Sequence, residues 1–296
     1  MRKQSKQHQQ NLLEQFLASR RQGISPRTIQ FYRTCLTPLM GYPLTTEGIQ
    51  RFLADLKCKN AKACYYRAIR AFCNWAVRNG YLASNPIEKI DAPKCRRPLL
   101  PSLTREQINQ LIEQAGTLRN RAIVSLFADS GVRLSELARI SVRDINWQRQ
   151  TVKVWGKGGS QREAPFSGRT ALLLKELATQ NGEQGSLWNI GARGIQSMLR
   201  RLKVKTGLPC TPHTFRRSFA SNLHRVGLDI EHIMRLGGWR TLQMVLRYTE
   251  SVKSDESLAL YRRLAQGTST VGDAYQLLDA DTPEIKHSTV DPIAGG

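Results

Sequence analysis

The chain has 296 residues, with 45 Lys and Arg against 23 Asp and Glu, and its formal net charge is +22. This length is sufficient for two ordinary domains, each with its own core. A basic excess of this size on a chain of ordinary hydrophobicity favours a polyanionic partner. A solvated basic surface or a ribosomal-type protein would show the same charge.

Two further features argue against a secreted or membrane protein. The six cysteines have no C-x-x-C spacing and no histidines at zinc-ligand spacing, so buried free thiols in a reducing cytosol are expected. The apolar stretches are too short to span a bilayer, and the polar first ten residues are unlike a signal peptide. We therefore expect a cytoplasmic protein with no cofactor and no metal.

Residues 8–91 contain four stretches of apolar residues at helical spacing. Ser25 followed by Pro26 predicts the start of the second helix, because serine caps a helix and proline suits its first turn. Thr45 or Thr46 opens the third helix, and Asn60 is a candidate cap for the fourth. Twelve arginines and lysines lie within residues 8–91. We predict a compact helical bundle with a basic surface.

Residues 92–102 contain three prolines and a basic cluster, which predict an extended linker. Such a linker could follow a phosphate backbone or simply be an exposed connector. Residues 103–265 then predict a second domain, with a capping box at Thr104 and strands within 140–154 and 163–166. Its predicted helices cover residues 118–129, 168–179, 192–205, 214–226, 229–236, 241–247 and 255–265.

Residues 266–296 form an acidic tail, with five acidic residues against one lysine. The first 265 residues therefore hold +26 of net charge. The tail has little apolar content, so we predict that it is flexible.

Arg133 is the first candidate site residue, and it follows Ser130-Gly131-Val132 at a predicted helix break. A cation just before a helix is not favoured by the helix dipole, so the dipole alone does not explain its place. Glu136 could hold the guanidinium or cap the short helix predicted over residues 134–140. Alternatively, the two form a surface ion pair of little energetic consequence.

Lys157 lies between Gly156 and Gly158, in a predicted turn between two strands. The glycines allow positive φ and remove bulk, so the ammonium group can move freely. A lysine at a hairpin tip is equally common without any catalytic role.

His213 and Arg216 are three residues apart on one predicted helix, so they lie on neighbouring positions of one face. The helical wheel places Arg216 beside the buried stripe, where its charge needs an anionic partner, and Arg217 towards water. His213 could equally be a histidine at the boundary of the core.

Trp239 and Tyr248 are nine residues apart, and Gly237-Gly238 together with Thr241 predict a break before the helix that Tyr248 terminates. Tyr248 could be a core residue, although polar residues flank it. Residues 229–248 also fit a helix-turn-helix, which keeps a DNA-binding regulator as an open interpretation.

These side chains suit covalent phosphoryl transfer on nucleic acid. Two guanidiniums, Arg133 and Arg216, can bind the non-bridging oxygens of a pentavalent phosphate through several donors each. The phenol of Tyr248 can attack phosphorus. Lys157 can protonate the leaving oxygen, and His213 can move the remaining proton.

In chain order, the strings S-G-V-R-L-S-E-L, G-K-G, P-H-T-F-R-R-S-F-A, L-G-G-W and R-Y-T-E resemble the tyrosine recombinase (phage integrase) family. The resemblance spans about residues 10–265. It implies a mainly α fold with a small antiparallel β-sheet: a helical core-binding (SAM-like) DNA-binding domain at 8–91 and a mixed α/β catalytic domain at 103–265.

The resemblance also implies roles for individual residues. The family's catalytic positions fall on Arg133, Lys157, His213, Arg216, Trp239 and Tyr248. Glu136 matches the acidic residue that supports the first arginine. Where most relatives read L-G-H, this chain has Trp239, which we interpret as a tolerated hydrogen-bond donor.

The implied function is site-specific recombination, in which DNA is cut and rejoined through a 3′-phosphotyrosyl intermediate without metal or ATP. The resemblance implies a homotetramer on double-stranded DNA, with a monomer expected in free solution. We expect the two domains to clamp duplex DNA with a strong salt dependence. An integrase of a phage or other mobile element is the first interpretation. A chromosome-dimer-resolving recombinase, a type IB topoisomerase-like strand transferase and a non-catalytic helix-turn-helix regulator are the alternatives.

Overall fold

A computed structural model describes residues 2–58, 61–94, 100–156, 159–181, 186–249 and 254–265. The chain divides into two compact units, Met1–Pro98 and Leu99–Gly296. The described residues are mainly helical and include one three-stranded antiparallel sheet, so the predicted fold class is confirmed. None of the helices within these ranges is long and apolar enough to cross a membrane. The acidic tail predicted at 266–296 lies outside the described residues.

The first unit is a helical bundle. Its elements are α1 (Arg2–Ser19), α2 (Pro26–Leu36), a 3₁₀ helix (Thr37–Gly41), α3 (Thr46–Asp55) and α4 (Lys62–Arg78). The predicted caps at Ser25 and Thr45 are confirmed, because each side chain accepts a hydrogen bond from a backbone N–H of the first turn. The candidate cap Asn60 lies outside the described residues. Phe16 packs edge-on against Phe72, with 5.4 Å between ring centroids, at the centre of the core.

The second unit combines helices with the three-stranded sheet. Its elements are α5 (Arg105–Gln114), α6 (Leu118–Ser130), α7 (Leu134–Leu137), a 3₁₀ helix (Val142–Asp144), β1 (Ile145–Asn146), β2 (Thr151–Trp155), β3 (Gln161–Pro165), α8 (Gly168–Asn181), α9 (Ala192–Thr206), α10 (Pro212–Arg225), α11 (Ile230–Gly237), α12 (Leu242–Thr249) and α13 (Ser254–Ala265). The capping box predicted at Thr104 is present at the start of α5.

The sheet has the order β1-β2-β3, with antiparallel pairs such as Val152 with Ala164. The strand pattern predicted from residue 140 is wrong in its first part, because Val142–Asp144 is a 3₁₀ helix. The Asp144 carboxylate accepts hydrogen bonds from the backbone N–H and the hydroxyl of Ser141, each at 2.8 Å. A local side-chain acceptor of this kind competes with strand pairing.

Two contacts place the chain just before and after Arg133. Gly131 follows the last residue of α6 as its C-cap, with φ +55°, and a Cβ there would lie 2.6 Å from the ring of Phe219. Glycine is required for both reasons. On the other side of Arg133, the buried Trp188 donates its indole N–H to the carbonyl of Leu137 at 2.6 Å. Both ends of this short segment are therefore fixed by the core.

The described cysteines are free thiols, as predicted. Cys35, Cys73 and Cys210 are buried, and Cys58 and Cys64 are partly buried. Burial raises the pKa of Cys73 and of Cys210 to about 12, which keeps them protonated and unreactive. Cys95 lies outside the described residues.

Asp129 ties α6 to the start of α8. Its carboxylate accepts hydrogen bonds from the backbone N–H of Ser167 at 2.9 Å and from the Ser167 hydroxyl at 2.6 Å, and also from the hydroxyl of Thr170. The Thr170 hydroxyl is in turn 2.6 Å from that of Ser125 on α6. This network holds the end of α6 from which the segment of Arg133 departs.

We expect Asp129→Ala to lower the free energy of unfolding by about 1–3 kcal/mol, because Ser167 and Thr170 lose their acceptor in a partly buried place. Urea denaturation of the whole chain measures this change. Glu113→Ala, at an exposed position of α5, is the matched control and should stay within about 0.5 kcal/mol of the parent. Equal effects of the two substitutions would contradict the prediction.

Candidate active site

The site is built on α10, which carries His213 and Arg216. The side chain of Thr211 accepts a hydrogen bond from the Thr214 N–H at 3.1 Å, and Pro212 occupies the first turn. α10 therefore begins two residues before the predicted start at 214. The pair Thr211-Pro212 is the same start signal as Ser25-Pro26 in the first unit.

Arg216 is buried, with 4% of its surface exposed. One guanidinium nitrogen, Nη1, donates to the carbonyl of Gly131, and the guanidinium carbon lies 4.0 Å from the ring centroid of Trp239. Its Nη2 has no hydrogen-bond partner among the described residues. Burial, followed by repulsion from Arg133 and Arg162, lowers the pKa of Arg216 to about 9. The side chain is thus still a cation at neutral pH, with one donor group directed at no protein acceptor in the described part.

Arg133 and Glu136 combine the two roles that the sequence suggested for the pair. The Glu136 carboxylate accepts the backbone N–H of Arg133 at 2.9 Å, which caps α7, and the Arg133 Nη1 at 2.6 Å. The Glu136 side chain is 2% exposed and that of Arg133 is 40% exposed. Nη2 of Arg133 donates to the carbonyl of Gly238 at 3.1 Å. The alternative of a surface ion pair is therefore wrong.

Arg162 on β3 is a second partner of Glu136, and the sequence analysis missed it. Its Nη2 donates to Glu136 at 3.0 Å and its Nη1 to the carbonyl of Leu236 at 2.8 Å. Burial raises the pKa of Glu136, but the hydrogen bond from the Arg133 backbone and the charge of Arg162 outweigh it, and the net pKa is lowered. The available signal was strand alternation, since Arg162 shares the inward face of β3 with the buried Ala164.

The Gly237-Gly238 pair determines where the indole ring of Trp239 can lie. A Cβ on Gly237 would lie 1.8 Å from the indole ring, and Gly238 has φ +64°. The two glycines therefore let the indole fold back against the end of α11. Trp239 is buried, and its Nε1 has no hydrogen-bond partner among the described residues.

Tyr248 lies inside the last turn of α12, which runs to Thr249, so the predicted helix end at 247 is two residues short. Its ring centroid is 5.7 Å from that of Trp239, and its backbone carbonyl accepts the Ser221 hydroxyl at 2.6 Å. The charge of Arg216 lies within electrostatic range of the phenol. The structure thus brings Tyr248, Trp239 and Arg216 together.

His213 is one turn before Arg216 and keeps part of its ring in solvent. Its partial burial, followed by the charges of Arg217, Arg216 and Arg133, lowers the pKa of His213. This shift favours the neutral imidazole, and a neutral imidazole can accept a proton.

Arg217 departs from the helical-wheel prediction that it faces water. It is half-buried, its Nε donates to the carbonyl of Pro101 at 3.1 Å, and its Nη2 donates to the Thr214 hydroxyl at 3.2 Å. The segment before α5 thus covers this side of α10, which a helical wheel does not include.

Lys157 lies outside the described residues. Gly158 lies outside them as well. Among the described neighbours, Gly156 donates its N–H to the carbonyl of Ser160 at 2.6 Å. Within the described ranges, no group of three or more His, Cys, Asp or Glu side chains could hold a metal ion.

The helix pair α11 and α12 packs on α10. Ile233 and Val245 are fully buried in a cluster with Trp239 and Phe219. Tyr248 of α12 is packed against the same cluster, with its ring beside that of Trp239. We interpret residues 229–248 as part of this site.

Comparison with known proteins agrees with this arrangement. Residues 101–255 match the Phage integrase family. A curated relative, the tyrosine recombinase XerC of Rhodospirillum centenum, is 31% identical over 90% of this chain and 89% of its own length. The chain belongs to the phage integrase family. The enzyme class predicted from the motifs, a tyrosine-type site-specific recombinase, is thereby confirmed.

This chain is also similar in sequence to a further XerC protein and similar in fold to two solved integrase structures. The XerC protein of Mycobacterium bovis is 30% identical over 79% of this chain and 82% of its own. A lambda integrase dimer bound to a COC′ core site superposes with a TM-score of 0.69 at 17% identity, over 83% of this chain and 96% of that one. The Tn1549 transposon integrase in complex with a circular intermediate DNA gives a TM-score of 0.68 at 17% identity, over 86% and 99%.

We expect the pKa of His213 to rise in Arg217→Gln, because this substitution removes the charge with the largest effect on the imidazole. An NMR titration of ring-labelled histidine, assigned with His213→Gln, measures the change. Arg235→Gln is the control, since this exposed arginine pairs with Glu231 on α11 and should leave the titration of His213 unchanged. A pKa of His213 that stays constant or falls in Arg217→Gln would contradict the prediction.

Proposed function

We propose that this integrase-family enzyme cuts and rejoins DNA through a covalent bond between Tyr248 and a 3′-phosphate. The observation that supports this most directly is a pair of buried donors beside the phenol. Nη2 of Arg216 and Nε1 of Trp239 are both buried without a partner among the described residues. The ring of Tyr248 lies next to that of Trp239. Buried donors normally have acceptors, and a phosphate would supply them.

The charge of the site suits a phosphodiester in its transition state. Arg133, Arg162 and Arg216 contribute three positive charges, and Glu136 contributes one negative charge. A pentavalent phosphorane carries more negative charge on its non-bridging oxygens than the ground state does, so fixed cations stabilise it selectively. We assign Arg133 and Arg216 to these oxygens.

In the proposed reaction, a bond forms between the phenolic oxygen of Tyr248 and phosphorus, and the bond from phosphorus to the 5′-oxygen breaks. The neutral His213 accepts the phenolic proton, and Lys157 donates a proton to the leaving 5′-oxygen. The phosphotyrosyl bond retains the energy of the phosphodiester, so rejoining uses the reverse step and requires no ATP. The scheme assigns every proton transfer to a side chain, and we propose no metal.

Trp239 and Glu136 have supporting roles in this proposal. Trp239 takes the place of the family's usual histidine, donates its indole N–H to the phosphate, and its ring face stabilises the Arg216 cation. Glu136 holds Arg133 by both its backbone and its side chain, so the guanidinium is oriented before substrate binds.

Double-stranded DNA is the proposed partner. The net charge of +26 on residues 1–265 supports it. Two structures with a similar fold also support it, a lambda integrase dimer bound to a COC′ core site and the Tn1549 transposon integrase in complex with a circular intermediate DNA. We propose that the helical unit and the catalytic unit act as a clamp on the duplex. Exchange of two strands at each of two sites requires four active sites, and hence a tetramer on DNA.

The nucleophile is tested with a suicide DNA substrate, from which the fragment with the free 5′-hydroxyl dissociates after cleavage. In the presence of a chelator, the parent enzyme should form a denaturant-stable protein–DNA adduct. Tyr248→Phe should form none, because it lacks the attacking oxygen. Tyr261→Phe, at an exposed position of α13, is the matched control and should react like the parent. An adduct in Tyr248→Phe would refute the assignment.

The type of recombination is tested with a plasmid that carries two copies of a candidate site. We expect recombinant junctions that depend on Tyr248. Relaxation of supercoils without junctions would favour the topoisomerase-like alternative. The XerC names of the curated relatives fit a chromosome-dimer-resolving recombinase, and the integrase structures fit a mobile-element integrase. Flanking direct repeats and element genes beside the coding sequence would favour the mobile-element function.

A further inference from the structure

We propose that Arg162 is a positioning residue for the reaction: by sharing the Glu136 carboxylate, it leaves Arg133 with net positive charge for the phosphate. The inference rests on the proposed function, since it assigns a source for the charge that this function requires. Both terminal nitrogens of Arg162 donate to protein groups, and its buried Nε has no partner among the described residues. Because the side chain is held inside the unit by these two bonds, we assign its effect to its charge beside Glu136 and Arg133.

The geometry of Glu136 carries the argument. One carboxylate oxygen accepts from the Arg133 side chain, and the other accepts from Arg162 and from the Arg133 backbone. The carboxylate is nearly inaccessible to water (2% exposed), so water cannot screen it. With one arginine, the pair would be electrically neutral. With two arginines, one unit of positive charge remains on the group.

The exposed fractions of the two arginine side chains indicate which of them presents this positive charge to solvent. The Arg162 side chain is 15% exposed and that of Arg133 is 40% exposed. Arg162 thus occupies the inner side of the carboxylate and Arg133 the solvent side, where a DNA phosphate could arrive. Arg162 therefore weakens the electrostatic attraction between Glu136 and Arg133.

Arg162 also contacts the segment that leads into Trp239. It binds the carbonyl of Leu236, and a Cβ on Gly238 would lie 2.6 Å from its Cδ and Nε. Arg133 binds the carbonyl of Gly238. The two arginines therefore join the same two structures, the Glu136 carboxylate and residues 236–238. Arg133 is therefore not the only arginine that links the Glu136 carboxylate to residues 236–238.

The test is the rate of adduct formation by Arg162→Met at saturating DNA. Methionine keeps a long side chain and removes the charge. We expect a loss of about tenfold or more, below the 10²–10³-fold that removal of a direct oxyanion contact costs. Arg162→Lys keeps a charge beside Glu136 and should recover part of the loss. A lysine variant as slow as the methionine variant would overturn the charge-sharing argument.

A second substrate distinguishes the loss of the Arg162 charge from a general structural defect in Arg162→Met. A methylphosphonate at the cleaved position replaces one charged oxygen with a methyl group, so less positive charge is needed. On this substrate the loss in Arg162→Met should shrink to about threefold or less. An equal loss on both substrates would mean that the substitution only disturbs the fold, and would overturn the inference.

Arg149→Met is the matched control, because Arg149 pairs with Glu163 on the exposed side of the same sheet. It should react like the parent on both substrates, and equal losses in Arg149→Met and Arg162→Met would overturn the inference.

The behaviour of the parent enzyme distinguishes failure of the proposed function from failure of the role proposed for Arg162. If it forms no adduct, the proposed function fails. If it forms one and Arg162→Met matches its rate, the function stands and the role of Arg162 fails.

Discussion

The buried carboxylate of Glu136 is the interaction on which the rest of the site depends. An unpaired carboxylate in this place would be very unfavourable, so its partners are constrained to stay. They come from two elements: Arg133 from the start of α7 and Arg162 from β3. Both arginines also bind carbonyls within residues 236–238. A single acidic side chain thus fixes the sheet, α7 and the approach to Trp239 relative to one another.

The second constraint is the excess of positive charge that this arrangement leaves. Arg216 lies close enough to Arg133 and Arg162 for their repulsion to add to the effect of burial on its pKa. The aromatic face of Trp239 stabilises the Arg216 cation, and one carbonyl accepts from it. Neither group neutralises it. The folding energy of the whole unit therefore holds like charges together, and an anion bound there would relieve the repulsion.

Local signals in the chain were sufficient for much of the fold. The helix starts at Ser25-Pro26 and Thr104 follow from side-chain caps that need only neighbouring residues. The errors lie where two local tendencies compete, as at Ser141, whose contact with Asp144 replaced a predicted strand by a 3₁₀ helix. The position of Arg217 was missed because its partner, Pro101, is distant in the chain.

The order and spacing of the motifs determined which side chains are the candidates for phosphoryl transfer, since each motif is a short string that specifies its own side chains. The contacts among those groups come from the folded unit: Arg216 with Gly131, Arg162 with Glu136, and Trp239 with Tyr248. These pairs join different elements, and the energy of a buried charge depends on the atoms that surround it in space. A linear pattern does not contain that information, so the contact between Arg162 on β3 and Glu136 on α7 was decided by the tertiary structure alone.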